Sequence, residues 1–367
     1  MKKIPVANPD ITSKEVNAVR KTIASGWITM GKKVEDFENK VCRYLKVKNA
    51  IAMNNGTSAL DAVLTALNIK AGDEIIVPSL TYISTANVVE YKNAKLILCD
   101  SDENTFNTNY EFIKKKLSKR TKLIIATDMK GMPLDYGGLK KIQKIHRTPI
   151  IIDSAETFSA MYKKKYVGSQ FLAHTFSFFA NKTLTTGEGG MIVTKDNKLA
   201  KKLKIIRNQG QDSRYNHIVL GNNFRMTDLS ASIGIEQLKK IKKNIVKKNK
   251  IAKIYNEAFK NNPLIQTPYL PSFVTQHSWY NYCIKVPAKV RDGLIEYLRK
   301  NNIETRVSFP PVHIQPYYKK KFGYKNNDYP NAYMTYKMMI DIPIWPGLKK
   351  NQAKHVAKKI LDFVYKN

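Results

Sequence analysis

Residues 176–196 read FSFFANKTLTTGEGGMIVTKD. An apolar aromatic run meets Asn181-Lys182, a threonine-rich turn follows, and Gly-Glu-Gly-Gly leads into a second apolar run. An ammonium set between two apolar, strand-like segments is costly to bury unless something uses it. A lysine in such a place can form an imine with an aldehyde and later move a proton as a general base. Ser177 lies five residues earlier, on the same expected strand, and the glycines allow a close backbone approach. The plainer reading of Lys182 is a lysine on a surface hairpin.

Three more features fall where strands should end. In NNGTSAL, residues 54–60, a strand stops, Gly56 turns the chain, and Thr57 and Ser58 open a helix. Amides and hydroxyls at a helix N-terminus can seat a phosphate, although the same residues make an ordinary N-cap. In IIIDSAE, Asp153 ends an apolar strand, where it can pair with a protonated ring nitrogen or cap a nearby loop; Glu156 follows three residues later. In PSLTYIST, Tyr82 can stack on a flat ring or simply pack in the core. The order of the set is phosphate turn, aromatic, Asp, Lys and paired glycines. The sequence has no G-x-G-x-x-G, P-loop, H-E-x-x-H or C-x-x-C motif, and no metal site is expected.

These residues need a scaffold. From residue 45 to about 195, short apolar β-rich runs alternate with helical patterns, as in NAIAMNN followed by GTSALDAVLTALNI. The expected fold is α/β, with a mostly parallel central sheet covered by helices on both faces. Ligands of such sheets collect at the carboxyl ends of the strands. Helices are expected to about residue 260, followed by a smaller α/β C-terminal unit. The boundary is placed near residue 245, giving a large domain over 1–245 and a small domain over 246–367. The N-terminal 30 residues are expected beside the active site or a partner subunit.

The chain has 367 residues, of which 43% are hydrophobic, enough for one large or two moderate cores. The formal charge is +34. It could attract nucleic acid, a membrane surface or anionic substrates. The excess is lysine, spread along helical faces such as EQLKKIKKNIVKKNKIAKIYNEAF, with few arginines and no interleaved aromatics, so neither a nucleic-acid nor a membrane partner is expected. No apolar run spans a bilayer, and the N-terminus does not read as a signal peptide. Three scattered cysteines fit a reducing cytoplasm.

With these residues in view, the chain resembles the DegT-type sugar aminotransferase family of fold-type I pyridoxal-phosphate enzymes. The resemblance runs nearly end to end, through GDEIIVPSLTYISTANVV, IIIDSAETFSAMYKKKYVGS, FSFFANKTLTTGEGGMIVT and NIETRVSFPPVH. Within the family it is most similar to the GDP-perosamine synthases, through NKTLTTGEGG and RYNHIVLGNNFRMT. The resemblance implies pyridoxal 5′-phosphate carried on Lys182, with Asp153 at the pyridine nitrogen, Glu156 near the phenolic oxygen and Tyr82 on the ring. It gives the phosphate to Thr57, Ser58 and Ser177, and to Asn223 of a neighbouring subunit in a homodimer with shared active sites. Arg225 would order that loop. His217, Arg306 and His313 match loops bordering the sugar-nucleotide pocket. L-glutamate would be the donor and a nucleotide-linked keto-6-deoxysugar the acceptor, in the cytoplasm, for cell-surface polysaccharide synthesis. Departures from the family pattern are Phe158, Asp128, Lys130 and Gln209. Lys130 motivates an alternative, smaller phosphorylated keto substrate. A further alternative is a binding protein on an inactive enzyme fold, against which the intact Lys182 and Asp153 speak.

Overall fold

The computed structural model describes residues 2–366. Seven strands form the central sheet, in the spatial order Asn49–Met53, Gly190–Thr194, Ala173–Ser177, Ile150–Asp153, Thr121–Thr127, Glu74–Pro78 and Lys95–Cys99. Gly190–Thr194 runs antiparallel to both its neighbours, and the remaining pairings are parallel. The apolar runs therefore do make a mostly parallel sheet. The antiparallel strand was not legible, because a strand buried on both faces has the same composition in either direction.

The register brings chemistry to one edge. Thr127 pairs with Asp153, and Asp153 with Thr175, so three polar residues line up across neighbouring strands, the first two at strand carboxyl ends. Helices cover both faces, and the core divides accordingly. Leu60, Val63 and Leu64 of the Gly56–Ala66 helix pack on one side of the sheet. Phe37, Leu139 and Ile241 pack on the other.

A single helix, Asp228–Phe259, replaces the series of helices expected there, and residue 245 falls inside it. Ala231, Ile235 and Ile241 join the large core, whereas Ile251, Tyr255 and Phe259 join a separate core with Tyr282, Leu294 and Ile360. Ile4 bridges Ile303 and is buried in this second core, whereas Glu15 bonds Gln237 and Lys240 in the first half of the long helix.

Asp228, the first residue of the long helix, is buried, and its carboxylate accepts from three amides of the preceding loop and helix: Gly31 (2.8 Å), Lys33 (3.1 Å) and Val34 (3.0 Å). It caps the Lys32–Leu45 helix from outside. Beneath the sheet's polar edge lies a second buried group, His174. Ser154 Oγ donates to Asp128 Oδ2 at 2.8 Å, so the His174 Nδ1 lying 3.0 Å from the same hydroxyl is the donor of that pair. His174 Nε2 has no hydrogen-bond partner among the described residues. Burial lowers this imidazole to about 3.

Two predictions follow from these buried groups. Asp228→Ala leaves three amides without their acceptor and costs about 3 kcal/mol, read as a lower urea midpoint at unchanged slope. The folded pKa of His174, about 3, lies below its ordinary value of 6.5, so between those values the unfolded chain binds the additional proton. Its contribution is complete above pH 6.5 and is lost as pH falls toward 3, by about 1.4 kcal/mol per unit. His174→Phe removes this part of the acid sensitivity. Urea midpoints with the same pH slope in both proteins would contradict it.

Candidate active site

The carboxyl edge of the sheet opens into a cavity of about 560 Å³. Its walls include Gly56, Thr57, Ser58, Tyr82, Asp153, Glu156, Ser177 and Lys182, and, from beyond the long helix in sequence, Tyr280, Arg306 and Phe309. A groove of about 660 Å³ between the Asp228–Phe259 and Lys350–Val364 helices is lined instead by lysines, acidic residues and aliphatic side chains, with none of these residues.

The Gly56–Ala66 helix starts at the cavity because Asn55 caps it, its side chain accepting from Ser58 N at 2.8 Å. Thr57 Oγ1 shares a 2.7 Å hydrogen bond with Ser84 Oγ, which opens the next helix. Close backbone packing holds this turn against the sheet. A Cβ on Gly190 would come 2.3 Å from Asn55 O, and one on Gly56 would come 3.1 Å from Ser177 Cβ. The edge thus presents helix amides with the Thr57 and Ser177 hydroxyls, the donor set of an anion seat.

Asp153 is 4% exposed. Burial pushes its carboxyl up, while a 2.6 Å hydrogen bond from Thr85 Oγ1 and a 3.1 Å bond from Ala155 N pull the other way. Thr85 is itself joined to Thr81 and through it to Thr127. Glu156 is buried. Its Oε2 accepts from Lys130 N at 2.6 Å, and its Oε1 has no hydrogen-bond partner among the described residues.

Lys182 lies in the loop after Ala173–Ser177, not on that strand as expected. The loop sets its Nζ 3.9 Å from Glu156 Oε1 and 4.2 Å from the centre of the Tyr280 ring. Lys248 braces this arrangement from the long helix. Its Nζ donates to Trp279 O at 2.7 Å and to Thr183 Oγ1 at 3.3 Å, beside Tyr280 and Lys182 in sequence, and burial lowers it to about 7.

The other expected residues are placed unevenly. Tyr82 is 54% exposed, its ring edge-on to Phe309 at 5.2 Å. Arg306 lines the cavity and lies over the Tyr280 ring at 5.4 Å. Asn223 is exposed in a loop pinned to Asn54, and Arg225 holds that loop through Asn208 at 2.6 Å. His217 is exposed on a hairpin, its Nδ1 2.9 Å from Gln209 O. Neither Asn223 nor His217 lines this chain's own cavity. His313, expected at the pocket border, is fully buried, with its ring nitrogens engaged by Ser79 Oγ and Asn326 O. Lys130 is likewise turned away from the cavity and buried on Asp341. Ser84, Thr85, Tyr280 and Phe309 were missed. Ser84 and Thr85 were findable, two and three residues past Tyr82 at a helix start. The two aromatics arrive from distant sequence with no local signal.

Among the described residues there is no cluster suited to a metal ion and no helix long and apolar enough to cross a membrane. The cavity fits a flat, anionic, ring-bearing cofactor. It has amide and hydroxyl donors at a helix N-terminus, the buried Asp153 carboxylate, a Glu156 oxygen without a hydrogen bond, and Lys182 facing that oxygen.

Comparison with known proteins agrees. GDP-perosamine synthase of Escherichia coli O157:H7 is 37% identical, covering 99% of both chains. PseC of Helicobacter pylori, an aminotransferase of pseudaminic acid biosynthesis, superposes with a TM-score of 0.94 over all of both chains at 26% identity. Spr1654 of Streptococcus pneumoniae, solved in PLP, apo and PMP forms, superposes at a TM-score of 0.93 over 99% of this chain and 98–99% of its own at 27% identity. The DegT/DnrJ/EryC1/StrS aminotransferase model matches residues 9–361, and with a lysine, a buried aspartate and a phosphate seat meeting in one cavity, this chain belongs to that family of pyridoxal-phosphate-dependent aminotransferases.

Proposed function

We propose that the protein transfers an amino group from L-glutamate to the 4-keto carbon of a nucleotide-linked 6-deoxysugar, in the cytoplasm, toward a cell-surface polysaccharide. The observation that carries the reading is the convergence of Lys182, Asp153 and the Gly56–Ala66 helix N-terminus on one cavity. Similarity to a GDP-perosamine synthase along the whole chain supports the sugar-nucleotide acceptor.

In this reading Thr57, Ser58 and Ser177 hold the cofactor phosphate, Asp153 its ring nitrogen, Glu156 its phenolic side and Tyr82 its face. When bound, pyridoxal phosphate supplies an aldehyde to carry the amino group and a cationic ring that withdraws electrons. The remaining work falls to the chain. Asp153, oriented by hydrogen bonds from Thr85 and Ala155, pairs with the protonated ring nitrogen. The Lys182 amine takes the donor's α-proton, and Glu156 Oε1 keeps that amine in place. Tyr280 and Phe309 exclude water from it. Arg306 receives an anionic group of the substrate.

Asn223 and His217 act in this reading on a partner subunit's site. Exposed Tyr215, Ile218 and Leu220 near them, with Trp27 and Phe179, support a homodimer that covers this surface. His313 serves by holding the wall segment that bears Phe309. Because Lys130 does not line the cavity, nothing favours the smaller phosphorylated substrate.

The test is spectroscopic. Wild-type protein with pyridoxal phosphate is expected to show a visible band that L-glutamate shifts to the near ultraviolet; borohydride added before L-glutamate is expected to bleach that band and leave the cofactor covalently attached to the chain. Lys182→Ala lacks the borohydride-trapped product, and Asp153→Asn lowers turnover by about a hundredfold or more. Wild-type protein that leaves L-glutamate unreacted while turning over another amine would remove the proposed donor. Turnover of small keto phosphates alone would remove the proposed acceptor.

A further inference from the structure

Lys130 and Asp341 form a buried ion pair between the two units. The Lys130 Nζ–Asp341 Oδ1 distance is 3.0 Å, and the residues are 4% and 0% exposed. Lys130 follows the strand Thr121–Thr127, and Asp341 lies in the small-unit strand Met339–Ile342. The second carboxylate oxygen, Oδ2, accepts from Ser308 Oγ and from Arg306 Nε at 3.4 Å. Two backbone hydrogen bonds, Arg306 N to Asp341 O at 3.1 Å and Asp341 N to Arg306 O at 2.8 Å, fix these residues side by side. Burial alone would raise the Asp341 carboxyl, but the charges of Lys130 and Arg306 outweigh it and hold it below the usual range.

A carboxylate facing a lone guanidinium pairs with it through both oxygens, fork to fork. Here Lys130 occupies Oδ1, so that arrangement is closed to Arg306. Arg306 gives Asp341 its Nε alone, and its two terminal amino groups have no hydrogen-bond partner among the described residues. They belong to a guanidinium that lines the cavity above Tyr280. We infer that Lys130 is a positioning residue: by occupying Asp341 it keeps Arg306 free as a fork for an oxyanion of the substrate. The inference rests on the substrate-site reading above. The oxyanion is a carboxylate of the amino donor or a phosphate of the acceptor, and both suit a planar fork. Lys130's own amide is bound to Glu156 Oε2, a backbone contact that substitution of the side chain retains.

The experiment titrates the holoenzyme calorimetrically with glutarate and, separately, with inorganic pyrophosphate, at fixed ionic strength. Lys130→Met is expected to weaken one probe by about tenfold, as Arg306 closes onto Asp341, with the cofactor spectrum unchanged. The double variant Lys130→Met/Asp341→Asn removes the competing carboxylate and is expected to recover most of that affinity. A purely structural role would lower the melting temperature of both variants without this recovery. If Lys130→Met does not fold, Lys130→Gln carries the same expectation with a smaller factor, since a neutral amide holds Oδ1 less firmly. The probe that responds identifies the oxyanion's source. Equal affinities in wild type and variant, no recovery in the double variant, or no binding of either probe to wild type overturns the inference. Failure of wild type to take up pyridoxal phosphate would instead overturn the reading of the site.

Discussion

A carboxylate placed at the end of an apolar strand is the constraint to which the rest of the site answers. Asp153 follows three isoleucines in a fully buried strand, where an ionised group without partners would cost more than the fold can supply. Neutral donors answer part of that demand. Thr85 reaches Asp153 from the start of the Ser84–Glu90 helix, and Thr81 ties Thr85 to Thr127 on the adjacent strand. The same hydroxyl chain fixes the loop that carries Tyr82. Positioning the acid thus positions the aromatic, and neutral hydroxyls leave room for a full cation to complete the set.

The sequence made the large domain legible because its periodicities are strong. The strand predicted over NAIAMNN spans Asn49–Met53, and the helix predicted over GTSALDAVLTALNI spans Gly56–Ala66. Strand ends flagged Thr57, Tyr82, Asp153 and Ser177, and all four line one cavity. What escaped was set by tertiary contact. Lys182 looked like a strand residue because aromatic residues precede it, yet the chain leaves the sheet after Ser177. Tyr280 and Phe309 come from distant sequence, beyond the long helix, and carry no periodic signal. His313 matched a pocket-bordering motif, but Ser79 and the Asn326 carbonyl hold it inside the protein. A motif gives residue types in order, and burial decides which of them meet solvent.

The site is closed by the junction of two cores. Asp228–Phe259 belongs to both, with Ile241 in one and Ile251 in the other. Lys248 sits between them, bound to the Trp279 carbonyl and to the hydroxyl next to Lys182. Lys130 and Asp341 make a second buried charge contact between the units. Neither lysine is placed for stability alone, since removing an ammonium from water costs more than a surface alternative would. Buried charge at this seam fixes one relative placement of the two units, the one in which Tyr280 and Arg306 face Lys182.

The chain's charge and the site's charge are separate matters. The formal excess is +34, yet the cavity walls set Lys182 and Arg306 against Asp153, Glu156 and Glu188. Among the described residues, Lys130, Lys248 and Lys285 are the only buried lysines. The basic excess is therefore a property of the surface, where its field raises the local concentration of anionic molecules and fades within about 10 Å at moderate salt. Recognition of an anion inside the cavity has no net positive charge to draw on. It depends on which cation is left without a partner, and at this site the terminal amino groups of Arg306 are in that position.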